Sequence, residues 1–204
     1  MTDPDPPQAR TARSRKRLQL LLLIAVFTAP VIAAWLWQPG SFSNRGELIE
    51  PPRLLTDELL LRADGERMGL QAFGGKWTYV YFARGGCDAA CRQVVDNLAR
   101  VRLTQGKNAR RLRVLVIAMA PTQLSQMETL WLQLPEVVVL GAGAAVLARL
   151  VQQFKLDSGS PATGDRRIYL VDPLGNLMMS YPAEADPTDI RKDIARLLRV
   201  SRIG

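Results

Sequence analysis

One stretch limits the whole architecture: Leu18 to Trp37, LQLLLLIAVFTAPVIAAWLW, is 20 residues without a charge. A helix of that length crosses the hydrocarbon core of a bilayer. Arg10, Arg13, Arg15, Lys16 and Arg17 precede it, and the positive-inside rule keeps such a flank in the cytoplasm. Trp35 and Trp37 close the run, where indoles favour the membrane interface, and Pro30 is expected to kink it. The alternative is a cleaved signal peptide, for which Val31-Ile32-Ala33 offers a weak site, but the apolar core of such a peptide usually has about 7–15 residues. The length therefore favours an uncleaved anchor. The expected layout is a cytoplasmic basic tail over 1–17, a transmembrane helix over 18–37, a linker over 38–53 and one domain over 54–204. In a bacterium this places a single-pass protein in the inner membrane with its C-terminal domain in the periplasm, where disulfides persist.

The domain's chemistry is narrowed by sulfur. The chain has two cysteines, Cys87 and Cys91, in Gly85-Gly86-Cys87-Asp88-Ala89-Ala90-Cys91, and no histidine. A Ser-His-Asp triad, a Cys-His protease and any His-ligated metal are excluded within this chain. A Cys-x-x-x-Cys pair either forms a disulfide or holds a soft ion such as Cu(I). Four apart on a helix, the two Cβ atoms would lie about 5–6 Å from each other, whereas a disulfide needs about 3.8 Å. Either Cys87 leaves helical geometry or the bridge is strained, and Gly85-Gly86 supplies a flexible approach. A bridge over so short a loop gains little chain entropy, which argues against a purely structural role. Asp88, Met178 and Met179 are conceivable further ligands, although methionines more commonly fill gaps in cores.

The net charge of +8 does not point to nucleic acid. Part of it is the basic tail; the rest is spread thinly, with some clustering at Arg100, Arg102, Lys107, Arg110, Arg111 and Arg113, without the interleaved aromatics of a base-stacking surface. That cluster reads as a solvated helix end, with an acidic partner or lipid head groups as the alternative contact.

Residues 38–53 carry Pro39, Gly40, Asn44, Gly46, Pro51 and Pro52 with no apolar period, and are expected to form an extended spacer. Beyond them, Leu59–Arg62 opens a small hairpin at Asp64-Gly65. Residues 77–82 are rich in β-branched and aromatic side chains and predict a central strand. Arg92–Leu103 has helical spacing at Val94, Val95, Leu98 and Val101. Strands are expected over 112–118, 137–140, 167–171 and 177–181. Helices are expected from Pro121, over 144–154 and from Asp186-Pro187, the last with a good cap and Pro at its first position. The order β-α-β-α-β-α-β-β-α puts the cysteines between a central strand and its helix, where the helix N-terminus favours a thiolate and Arg84 and Arg92 add positive charge.

Strand, dithiol loop, helix and a terminal hairpin capped by a helix resemble the thioredoxin fold, an α/β three-layer arrangement around a central mixed sheet. Within it the chain is similar to the Sco family of cytochrome c oxidase assembly proteins. The resemblance rests on the N-terminal anchor, on the Cys-x-x-x-Cys after the first core strand, and on Ile168-Tyr169-Leu170-Val171-Asp172-Pro173-Leu174-Gly175-Asn176-Leu177. Residues 44–52 and 172–204 are also similar to proteobacterial transmembrane proteins encoded among cytochrome oxidase genes. The family implies copper bound by both cysteines and by a histidine before the Ile168 strand; here Gly164-Asp165 stands at that place. Thioredoxin-like reductases carry a cis-proline immediately before that strand; here Arg166 and Arg167 do.

The resemblance and the dithiol together imply a factor in copper-centre assembly that acts by thiol–disulfide exchange, with Cys87 attacking as the more exposed sulfur and Cys91 resolving. The partners expected are cytochrome c oxidase subunits or other assembly factors, with no nucleic acid. No cofactor is required. The alternatives are a Cu(I) chaperone using Cys87 and Cys91, and a non-catalytic docking module with a structural disulfide and a basic surface around Arg110 and Arg111.

Overall fold

A computed structural model describes residues 7–36 and 44–203; the start of the tail, Trp37 and linker residues 38–43 lie outside them. The N-terminal unit contains one helix, α1 (Pro7–Leu36), which continues through Pro30. Its segment Arg17–Leu36 is long and apolar enough to cross a membrane. The boundary expected after residue 17 is not a structural one, because the helix already includes the tail from Pro7.

The second unit begins at Asn44. Its elements are β1 (Glu47–Leu54), β2 (Leu59–Leu61), β3 (Arg67–Gly69), β4 (Trp77–Ala83), α2 (Ala89–Leu103), β5 (Leu112–Ala118), α3 (Leu124–Leu130), β6 (Val137–Gly141), α4 (Ala144–Gln153), β7 (Arg167–Val171), β8 (Asn176–Pro182) and α5 (Pro187–Val200). The eight strands form one sheet in the order β1-β8-β7-β4-β5-β6-β2-β3. β4, β5 and β6 are parallel, and β7, β8 and β1 join antiparallel on the other side of β4.

β4 is buried at every position, as a strand covered on both faces must be. Its alternate residues feed two cores. Tyr79 and Tyr81 point with Val95, Leu98, Ile190 and Ile194 into the layer made by α2 and α5. Val80 and Phe82 point with Leu150 and Phe154 into the layer made by α4, where Phe82, Phe154 and Tyr169 meet edge to face at 5.0–6.0 Å. This is the expected three-layer α/β fold around a mixed sheet. Among the described residues both cores draw only on the chain from Leu48 onward, so the unit from Asn44 has a hydrophobic core of its own to fold around.

The spacer expected over 38–53 is overturned in its second half. Residues 47–54 form β1, paired with β8 as an edge strand. Pro51 and Pro52 cannot donate to a ladder and so hide the strand in the sequence. They are tolerated because β1 lies at the edge and its register shifts between Leu48 and Arg53.

β8 runs parallel to β4 through the intervening antiparallel β7. The helices that follow them, α2 and α5, therefore start at the same end of the sheet and finish together at the opposite end. The cysteines lie at the first end.

Candidate functional site

β4 stops at Ala83, and the chain turns into α2 through Arg84-Gly85-Gly86-Cys87-Asp88. Gly85, Gly86 and Cys87 have φ of +60°, +76° and +61°. Cys87 is the one non-glycine residue with positive φ among the described residues, a conformation costing about 1–2 kcal/mol. It is disulfide-bonded to Cys91, with the Cα atoms 5.1 Å apart. The departure from helical geometry expected of Cys87 is thus found: α2 begins at Ala89, one turn earlier than the apolar spacing from Arg92 suggests, and Cys91 lies in its first turn.

A Cβ on Gly86 would lie 3.3 Å from the Gln123 side chain, whose Oε1 is buried without a hydrogen-bond partner. Gly86→Ala therefore strains the loop by backbone and by contact. It should lower stability by about 1–2 kcal/mol, read as a shifted urea midpoint.

Both cysteines are buried, Cys87 at 4% and Cys91 at 3% exposure. The greater exposure expected of Cys87 is absent. The sulfurs differ instead in their backbone: Cys87 sits on a glycine-flanked loop and Cys91 is fixed within α2.

Asp88 caps α2. Its Oδ1 accepts from the Cys91 N–H at 2.8 Å, and its Oδ2 accepts from Arg166 Nη2 at 2.7 Å. The Cys91 amide first, and the Arg166 guanidinium next, hold the Asp88 carboxyl below its ordinary value. A depressed folded-state pKa stabilises above the ordinary value of 3.8 and loses that contribution as pH falls through the folded value. The thermal stability gap between the wild type and Asp88→Asn should therefore close on acidification from pH 5 towards pH 3. Arg166, expected only as the residue standing in place of a cis-proline, is the clamp that ties the approach to β7 to the cysteine loop. The sequence signal was its position alone.

Arg84 Nη2 donates to the Pro161 and Ala162 carbonyls at 2.6 Å each, holding the loop before β7 against the end of β4. Arg92 is exposed on α2. Asp165, at the place of the family's histidine, accepts from the Thr163 hydroxyl and the Ser160 N–H at 2.6 and 3.0 Å, and these two bonds, in that order, hold its carboxyl below the ordinary value. Tyr81, Arg84, Asp88, Cys91, Asp165 and Arg166 line one small cleft beside the disulfide.

The donor set fits soft two-sulfur ligation at most. No group of three or more His, Cys, Asp or Glu suited to a metal occurs among the described residues. Asp165 is a hard donor already engaged in its own loop. Met179 is no third ligand: it pairs with Leu170, which pairs with Tyr79, so it lies two strands across and four residues back from the end of β4, more than about 10 Å away. Its sulfur contacts the Tyr181 hydroxyl at 2.8 Å. Met178, its neighbour at the same level of the sheet, is equally remote.

A family model for the transmembrane-like, thioredoxin-like, C-terminal domain matches residues 77–201. No curated protein matches the chain. Among solved structures it is similar to copper-bound ScoI of Arabidopsis thaliana, with a TM-score of 0.59 and 18% identity over 72% of this chain and 98% of that one. It is also similar to BsSco, a member of the Sco family of cytochrome c oxidase assembly proteins in which a disulfide switch was identified, with a TM-score of 0.57 and 14% identity over 76% of this chain and 100% of that one. A thiol:disulfide interchange protein from Bacteroides sp. has a TM-score of 0.55 and 15% identity over 74% of this chain and 91% of that one. These likenesses establish the thioredoxin-like fold shared with Sco proteins and thiol:disulfide oxidoreductases. With more than half of its length matched by the family model, the chain belongs to the transmembrane-like, thioredoxin-like, C-terminal domain family.

Proposed function

We propose that this protein is a membrane-anchored factor in the assembly of the copper centre of cytochrome c oxidase and that it acts by thiol–disulfide exchange. The observation that carries the reading is the Cys87–Cys91 pair at the β4–α2 junction, with Cys87 on a left-handed, glycine-flanked loop. The fold it shares with Sco proteins and thiol:disulfide interchange proteins supports the same reading.

In the reduced protein, the Cys87 thiolate attacks one sulfur of a partner disulfide, forming a mixed disulfide and releasing the partner's other sulfur as a thiolate. Cys91 then attacks Cys87 Sγ, releasing the partner's second thiol and closing the Cys87–Cys91 bridge. Two electrons pass to the partner, whose cysteines are then ready for copper, and an external dithiol reductant restores the pair. The partners are oxidase subunits or other assembly factors. The anchor is the segment Arg17–Leu36, with the domain on the periplasmic side of a bacterial inner membrane.

A redox titration of the domain from Asn44 onward tests the mechanism. A potential above about −300 mV, the range of exchangeable rather than structural disulfides, is expected; a lower one refutes exchange. A Cu(I) titration of the reduced domain tests the second reading, a chaperone that uses the two soft sulfurs alone. One ion bound per domain, and lost in the double Cys→Ser protein, would put that reading first. Alkaline extraction of membranes and protease accessibility test the anchor and its orientation separately.

A further inference from the structure

The end of the domain opposite the disulfide carries a cationic and apolar surface that the exchange chemistry does not use. α2 and α5 finish there together, and Arg111, on the turn after α2, ties them. Its Nη1 donates to Leu198 O at 2.9 Å, and its Nη2 to Ser201 O and Ile203 O at 2.8 Å each. Arg102 is likewise structural, paired with Glu136 at 3.1 Å, and Arg113 lies over the Phe73 ring at 5.0 Å. Half of the basic cluster read from the sequence thus belongs to the framework, including Arg111, which the docking alternative placed on the surface.

The remainder is exposed. Arg100, Lys107 and Arg110 on one side and Arg199 and Arg202 on the other surround this end. None of these five has an ion-pair partner among the described residues. Neither 97–113 nor 194–203 contains a carboxylate. The same two segments carry Leu103, Val200 and Ile203 at 58%, 72% and 48% exposure. Exposed aliphatic side chains and cations without ion pairs at one end of the domain fit a surface with anionic head groups over an apolar interior. The seven residues between Leu36 and Asn44 extend to at most about 25 Å, so on the membrane-anchored reading Asn44 stays within that distance of the bilayer.

We infer that this end of the domain is a docking surface for an anionic phospholipid bilayer. The inference rests on the membrane-anchored reading of the protein. Because the cysteines and this surface occupy opposite ends of the parallel helices, a docked domain presents its dithiol away from the lipid.

The test uses the domain from Asn44 onward, without α1, so that its outcome is independent of the anchor. The domain is floated with phosphatidylglycerol–phosphatidylcholine vesicles and with pure phosphatidylcholine vesicles. Binding to the anionic vesicles only, with release as salt rises from 0.05 to 0.5 M, is expected on general screening grounds, with the Debye length falling to about 3 Å near 1 M. Triple reversal, K107E/R110E/R199E, should lower partitioning by about 100-fold or more. Leu103→Ser with Val200→Ser should weaken it at low salt while leaving the thermal unfolding of these exposed positions unchanged. Absence of vesicle binding at low salt, equal binding to neutral vesicles, or binding that survives the triple reversal would each overturn the inference. None of these results would touch the anchor, which extraction of the full chain tests separately.

Discussion

Serine at Cys87 should abolish turnover of a disulfide-bonded partner, lowering exchange by at least about 100-fold, while serine at Cys91 should leave the first attack intact and accumulate the mixed disulfide. The asymmetry follows from the backbone. Cys87 lies on a loop whose three successive left-handed residues can relax once the bridge opens, whereas Cys91 is held in the first turn of α2 with its amide bonded to Asp88. Without Cys91 the mixed disulfide must await an external thiol, and the advantage of a positioned intramolecular nucleophile is lost. Trapping with a cysteine-pair peptide and non-reducing electrophoresis reads both variants. If the Cys91→Ser protein releases its partner as fast as the wild type, the assignment of roles is wrong. If the trapped species forms only in the Cys87→Ser protein, the roles are reversed. Both sulfurs are buried, so the loop must open for either to react, and exchange should slow when the oxidised loop is rigidified.

Asp193→Ala should cost about 1–3 kcal/mol of unfolding free energy, the range for leaving a buried polar group without its hydrogen-bond partner. Asp193 is 2% exposed on α5. Its Oδ2 accepts the Arg45 and Gly46 N–H groups at 2.9 and 3.0 Å and lies 3.2 Å from the Tyr181 hydroxyl. Alanine removes the acceptor from the buried Tyr181 hydroxyl and from the partly exposed Arg45 and Gly46 amides, the buried group carrying most of the cost. The side chain of Arg45 meanwhile pairs with Asp189 at 3.0 Å. One helix therefore clasps the first residues of the domain where they emerge from the linker. Gly46 must be glycine for the clasp to close, since a Cβ there would lie 2.5 Å from Tyr181 Cε1 and 2.8 Å from Met179 Sδ. Urea unfolding of the domain measures the loss, and faster amide exchange at Arg45 and Gly46 locates it. A loss below about 1 kcal/mol would mean that water replaces the carboxylate.

The central elements are legible because their signals are local. An apolar, β-branched run such as 77–82 predicts a buried strand whatever surrounds it, and Asp186-Pro187 announces a helix start by its own chemistry. The cysteine spacing carries its own geometric consequence, a non-helical Cys87 or a strained bridge, and the φ of +61° at Cys87 decides for the first. β1 is illegible for the opposite reason. Its two prolines argue against a strand, and only the place of residues 47–54 at the sheet edge, beside β8, makes them acceptable. The start of α2 escapes the apolar pattern because Ala89 and Ala90 add nothing to its period; the Asp88 cap sets it.

The candidate site divides along the same line. Composition narrows the candidate chemistry, since two cysteines and no histidine exclude imidazole and point to thiol chemistry or soft-metal ligation. That Asp88 reaches Arg166 across 78 residues, that Arg84 pins the 161–162 carbonyls, and that Arg111 is a structural tie rather than a surface charge all depend on where the sheet order brings distant segments.

The residues alone indicate a membrane-length apolar helix, an α/β succession with its dithiol after a central strand, and a cysteine pair as the candidate site. Only the tertiary structure decided which cations are structural and which exposed, that both cysteines are buried, and that the linker's second half completes the sheet. The physical reason is that periodicity, charge and spacing act over a few residues, whereas burial and pairing are properties of neighbours that the chain meets only after it has folded.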